Sequence, residues 1–161
     1  MESKSIVVYH GTNLTFEKVN LEKSKDKRDF GIGFYTTIIR TQAEEWAKRI
    51  NLRYGDGRYV LEFEFEKNKE LKIKEFEEIT REWLEMVKEN RLKGGLQHNY
   101  DVIIGPVADD NTMATIDLFV NGLLNAEAAM VQLKYAKPNN QVSLHTEKAL
   151  KYLKFSRRYE L

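Results

Sequence analysis

The chain of 161 residues contains no cysteine. Disulfides and thiolate zinc sites are excluded together, and the absence suits a reducing compartment. Proline occurs twice, at Pro106 and Pro138, and both positions read as ends of elements. No apolar run approaches the roughly 20 residues that a membrane helix needs. Val102-Ile103-Ile104 is typical of the runs present. Met1-Glu2-Ser3-Lys4 leads into a strand-like stretch and not into a signal-peptide core. A soluble, cytoplasmic protein is the expectation, with no membrane partner. Charge of one sign is also scarce. The 26 basic and 25 acidic residues leave a formal net charge of +1. Bulk charge therefore supplies no basic footprint for nucleic acid.

What is present fits one domain, residues 1–161, of α+β class, long enough to bury a core without staples. Ser5 to Tyr9 is a β-branched run that predicts a buried strand, with His10-Gly11 as its turn. Leu14 to Asp29 reads as a charged surface loop. Phe34 to Thr37 reads as a short strand after a Gly-Ile-Gly turn. Thr41 to Leu52 reads as a helix capped by Thr41 with Glu44 three residues on. Its Ala43, Trp46, Ala47 and Ile50 share one face. Arg58 to Glu66 alternates, with Val60, Glu62, Glu64 and Glu66 opposite Leu61, Phe63 and Phe65. Leu71 to Phe76 and Tyr100 to Val107 are further strands, around a helix from Glu77 to Arg91 that Gly94-Gly95 ends. Asn111 to Leu124 and Ala126 to Tyr135 read as helices. Gln141 to His145 is the last clear strand, followed by a short final helix, Thr146 to Leu153. Mixed order with long gaps between strands is what gives the α+β class.

Two segments carry chemistry. In Tyr9-His10-Gly11-Thr12 a strand ends on a histidine, neutral at pH 7 and able to donate or accept. The glycine beside it permits close backbone approach. In Asp29-Phe30-Gly31-Ile32-Gly33-Phe34-Tyr35-Thr36-Thr37 two glycines lie among three aromatics, which suits a slot for a planar ring. A strand end with a turn, and a turn with core aromatics, are the plainer readings of each. Gly31-Ile32-Gly33 lacks the third glycine of a dinucleotide-binding turn.

Taken together, the two segments followed by Gln42-Ala43-Glu44-Glu45-Trp46-Ala47 resemble the front half of ADP-ribosyltransferases of the His-Tyr-Glu type. Within that superfamily the chain is similar to an uncharacterised bacterial family. The resemblance continues through Tyr100 to Asp110 and Gln141 to Glu147 and covers nearly the whole chain. It implies a split antiparallel sheet with flanking helices, and NAD as the substrate that donates ADP-ribose. It implies that His10 bonds the ribose beside the nicotinamide and that the Gly11 backbone holds the nicotinamide amide. Tyr35 would stack on the ring, with Thr12, Gly33 and Phe34 completing the pocket. Arg28, just before the turn, is placed to meet a phosphate bidentately. No metal is called for.

Cleavage of NAD at the sugar carbon passes through an oxocarbenium-like state. The superfamily places a glutamate at the start of a late strand to stabilise it. Here that strand begins with Gln141, an amide. Glu147 is a candidate acid, or an acid in a helix's first turn. Asp109 and Asp110 are candidates too, or a loop and cap. His98 reads as a loop residue. His145 shares a face with Gln141 and Ser143, within reach of a substrate or as a structural histidine. The catalytic set expected from the resemblance is therefore His10, Tyr35, Gln141 and Glu147. Three functions follow. One is an NAD-dependent transferase acting on an unknown macromolecular or small acceptor, of the toxin–antitoxin or phage-defence kind, with an antitoxin protein as partner. The second is a catalytically weak or inactive NAD-binding module, and the third an interaction domain using the helix around Ile79 to Asn90. Asn13 to Lys27 reads as a lid between the two NAD-facing segments.

Overall fold

Seven strands form one sheet in the computed structural model, which describes residues 4–107, 112–133 and 141–161. The strands are β1 (Lys4–Thr12), β2 (Phe34–Thr37), β3 (Tyr59–Lys67), β4 (Ile73–Glu75), β5 (Val102–Gly105), β6 (Gln141–Leu144) and β7 (Leu153–Glu160). The helices are α1 (Arg40–Tyr54), α2 (Arg81–Lys93), α3 (Met113–Val120), α4 (Ala126–Leu133) and the single turn α5 (Glu147–Leu150). The spatial order is β4-β5-β6-β2-β1-β3-β7. Every pairing is antiparallel except β4 with β5. The sheet is therefore mixed, not purely antiparallel, because α2 supplies the crossover that a parallel neighbour requires. Among the described residues no helix is long and apolar enough to cross a membrane.

The two faces bury different sets. On one, Tyr35 and Ile103 pack under α2, α3 and α4 with Phe30, Phe76, Trp83 and Phe119. The other face carries Val8, Phe34, Leu61, Phe63, Phe65, Val142 and Leu144. Alternation along β2 sends Tyr35 and Phe34 to opposite faces. The helix α1 lies on the Tyr35 face, over β1 and β3, with Ala43 and Ala47 fully buried.

One seam is narrow. β1 pairs with β3 over nine residues, from Lys4↔Lys67 to Thr12↔Tyr59. With β2 it shares the single register pair Tyr9↔Thr37. The β1-β3-β7 and β4-β5-β6-β2 groups thus meet at one point and diverge beyond it.

Several local expectations change. β1 continues through His10-Gly11 to Thr12, because β3 offers it a full-length partner. Thr41 does not cap α1. The helix begins at Arg40 after Ile39. Thr37 does the local bonding, accepting from the Ile39 N–H at 3.1 Å and donating to Gln42 Oε1 at 2.6 Å. Glu44 instead pairs with Arg40. α2 starts later than its apolar pattern suggests, since the Thr80 hydroxyl accepts from the Trp83 N–H and caps it there. The final helix is only one turn, and β7 follows it as an edge strand hidden by its charge. The alternation of Leu153 and Phe155 breaks at Arg157-Arg158, charges that suit an exposed edge.

Candidate functional site

Where β1 and β2 part, a side chain takes over the hydrogen bonding. His10 Nδ1 lies 2.7 Å from the Tyr35 carbonyl oxygen, so that nitrogen carries the proton and donates. Nε2 keeps its lone pair. The ring is half-buried against Phe34, with centroids 4.4 Å apart, and near Phe16. Burial pushes its pKa down to about 4, the Tyr35 hydrogen bond opposes this, and the charge of Arg28 reinforces it. His10 is therefore a neutral acceptor at physiological pH.

The turn before β2 is fixed from every side. Asp26 accepts from the Gly95 N–H at 2.6 Å and from Lys27 N–H. The Ile32 N–H donates to the Gly95 carbonyl. Asp29, buried, pairs with Arg91, whose Nε donates to it at 2.7 Å. The Tyr35 hydroxyl donates to the Gly31 carbonyl at 2.6 Å and accepts from the Phe30 N–H at 2.9 Å. Two histidines complete the hold. His98 Nε2 donates to the Phe30 carbonyl at 2.7 Å and Nδ1 accepts from the Tyr100 N–H. His145 Nδ1 donates to the Ile32 carbonyl at 2.9 Å, and Ser143 supplies the hydroxyl at Nε2. His145 is thus structural: it grips the turn and does not line the cavity. His98 lies in the loop between α2 and β5, as expected, and also holds the turn.

That turn presents Arg28 into a cavity of about 640 Å³ at the seam, within the size range of ligand sites. The cavity lies between the loop 13–28 and the C-terminal half of α1. Its lining contains Lys18, Lys23, Lys25, Arg28 and Arg49, and among the described residues it contains no Asp or Glu. The loop's acids point elsewhere. Asp26 bonds the Gly95 N–H just beyond α2, Asp29 pairs with Arg91 of α2, and Glu17 lines a separate groove beside α5. A loop of mixed sequence charge therefore sorts into a one-signed cavity wall. Beside neutral polar groups such as Asn13, Asn20 and Ser24, the lining carries flat aromatic surfaces from Phe16, Phe34, Trp46 and Tyr54. Anionic groups and a planar ring are what such a wall favours.

The residues expected at the site divide clearly. His10, Gly11, Thr12, Arg28, Gly33, Phe34 and Tyr35 all line the cavity. Thr12 uses its hydroxyl to accept from the Leu14 N–H. Gly33 is small for a packing reason, since a Cβ there would lie 2.5 Å from His145 Nδ1. Tyr35 is only 4% exposed, and the Arg28 guanidinium carbon sits 4.2 Å from its ring centroid, where a ligand ring would stack. Its hydroxyl is pushed well above the ordinary tyrosine range by burial. Gln141 is 1% exposed and lies outside the lining. Its amide nitrogen is 3.5 Å from Gln42 Oε1, which also accepts from the hydroxyl of Thr37, the strand partner of Gln141. Glu147 sits in the first turn of α5, which Thr146 caps, and lines the other groove. Asp109 and Asp110 lie outside the described residues.

Trp46, Arg49, Ile50 and Tyr54 join the cavity without having been singled out for it. The α1 stripe read as one face divides in two. Ala43 and Ala47 dock on β1, whereas Trp46 and Ile50 face the cavity one residue round. Trp46 and Ile50 at spacing i,i+4 were the available signal.

Acid should destabilise this arrangement. The pKa of His145 is lowered to about 3 and that of His10 to about 4, in both mainly by burial, and that of His98 is also lowered. An unfolded chain takes up these protons near pH 6.5, before the native state does. Stability is then complete above about pH 6.5 and is lost progressively as pH falls through the native values toward about 3. His145 alone contributes a loss of about 2 kcal/mol at pH 5. Urea midpoints at pH 7 and pH 5 check this, and equal midpoints would contradict it.

Among known proteins, a family model described as "Protein of unknown function (DUF3990)" matches residues 6–155. No curated protein and no solved structure matches the chain.

Proposed function

The chain belongs to the DUF3990 family, and we propose that its cavity binds NAD and that the protein is an ADP-ribosyltransferase. The observation that carries this reading is the cavity wall: five cations, flat aromatic surfaces and no carboxylate among the described lining. NAD offers the complement, a pyrophosphate between two planar bases. The narrow β1–β2 seam supports the split sheet that the resemblance implies. His10 Nε2, held as an acceptor, suits a ribose hydroxyl.

In the transfer the bond from the ribose C1′ to the nicotinamide nitrogen breaks. Its electron pair stays on that nitrogen and neutralises the pyridinium. The acceptor nucleophile then forms a bond to C1′ and releases its proton. His10 orients the ribose, and Arg28 with the lysines holds the phosphates. An acceptor of macromolecular or small-molecule kind, an antitoxin partner, and a cytoplasmic role in toxin–antitoxin or phage-defence systems belong to the same proposal.

A second reading has its own observation. With no lining carboxylate among the described residues and Gln141 buried beside Gln42, the protein would hold NAD without turning it over. Nicotinamide release from NAD separates the two. The transferase reading expects release by the natural protein, slowed roughly 10-fold or more in His10→Ala, which loses one ribose hydrogen bond. Saturable NAD binding with no nicotinamide release would establish the binding module instead.

A further inference from the structure

We propose that Arg28 is a phosphate-operated gate over Tyr35, so that the ring slot of the cavity opens only to a ligand that brings an anion. This deepens the NAD reading and rests on it for the identity of the natural ligand.

Three observations combine. First, the Arg28 guanidinium covers the Tyr35 ring at 4.2 Å. The remaining surroundings of that ring are protein: Phe30 lies parallel at 6.5 Å and His145 edge-on at 6.0 Å. While Arg28 stays, no planar ligand reaches Tyr35. Second, the two partners differ in freedom. Tyr35 is buried and its hydroxyl is bonded on both sides to the turn. Arg28 is half-buried and forms no ion pair among the described residues. Only the arginine is free to move. Third, an anion entering this cavity meets Lys18, Lys23 and Lys25 with Arg28, and no carboxylate among the described lining.

The energetics set the direction. A guanidinium over a ring is held by a modest attraction. A phosphate offers it paired, charge-assisted hydrogen bonds, which are stronger and directional. A phosphate group therefore draws Arg28 off the ring, and the Tyr35 face becomes available. Free nicotinamide has nothing with which to displace the arginine. By linkage, the anion and the ring must each raise the other's affinity by the same factor.

The test uses two separate probes, inorganic pyrophosphate and nicotinamide, on the full chain. In the wild type, nicotinamide should bind at least about 10-fold more tightly when pyrophosphate is saturating, a coupling of ordinary allosteric size. In Arg28→Ala that coupling should vanish, with nicotinamide binding unaided. A direct reading on the unmutated protein comes from NMR of the Arg28 Nε–H, assigned by its loss in Arg28→Lys. Its ring-current displacement by Tyr35 should relax along a saturable pyrophosphate curve. Saturable pyrophosphate binding that leaves this resonance in place would overturn the gate. So would no pyrophosphate binding, or equal coupling in wild type and Arg28→Ala. If pyrophosphate releases Arg28 while NAD itself fails to bind, the gate stands and the NAD reading falls.

Discussion

Gly11→Ala is expected to cost more than about 3 kcal/mol and to lower the melting temperature by at least about 6 °C, or to prevent folding. A Cβ at Gly11 would lie 2.0 Å from the Ala43 carbonyl oxygen and 2.9 Å from the Ala47 nitrogen. Both are backbone atoms of α1, so no rotamer change relieves the contact. The helix must lift from β1, which also moves Trp46 and Arg49 in the cavity wall. Gly11 lines the cavity, but its missing side chain serves the docking of α1. The effect is therefore on stability even without NAD, and thermal unfolding of the ligand-free protein measures it. A melting temperature within about 2 °C of wild type would mean that α1 does not pack on β1 this closely.

Asp29→Ala is expected to cost about 3 kcal/mol, at the lower end for breaking a buried ion pair. Asp29 is 5% exposed and Arg91 lies against it, so removing the acid leaves a poorly solvated guanidinium. Asp117, 3.1 Å from Arg91 Nη1, moderates the loss. The pair links α2 to the turn, one residue from Arg28 and six from Tyr35. Its removal should therefore weaken ligand binding beyond what global stability explains. Adding Arg91→Leu to Asp29→Ala should recover part of the stability, because no charge is then stranded. Denaturant melts of the two single variants and the double variant give the coupling. Strict additivity of the two costs would show that the pair does not bind α2 to the turn.

The parts of the fold and site readable in the chain are those with local punctuation. His10-Gly11-Thr12 and the stretch from Gly31 to Tyr35 combine glycine with aromatic and β-branched residues, and these segments do converge on one cavity. Regular alternation also located β3, where Leu61, Phe63 and Phe65 fill one face. What escaped depends on contacts distant in sequence. The length of β1 is set by β3 some fifty residues away. The hydrogen bonding of Thr37 before α1 depends on its reach to Gln42. The charge of the loop 13–28 looks balanced until Asp26 and Asp29 are seen turned to Gly95 and Arg91. Nor does a linear pattern show that Gln141 pairs with Thr37 and tucks beside Gln42 instead of facing the cavity. The shielding of Tyr35 by Arg28, seven residues earlier, is likewise visible only once the turn between them is closed.

Calorimetric titration of NAD into the ligand-free protein at two ionic strengths decides whether the cavity is an NAD site. A saturable heat at one NAD per chain is the predicted result, weakened by salt because the cavity cations hold the pyrophosphate, and lost in a Lys25→Glu, Arg28→Glu variant that stays folded. Absence of any heat at millimolar NAD, or binding that the charge-reversed variant retains in full, would contradict it.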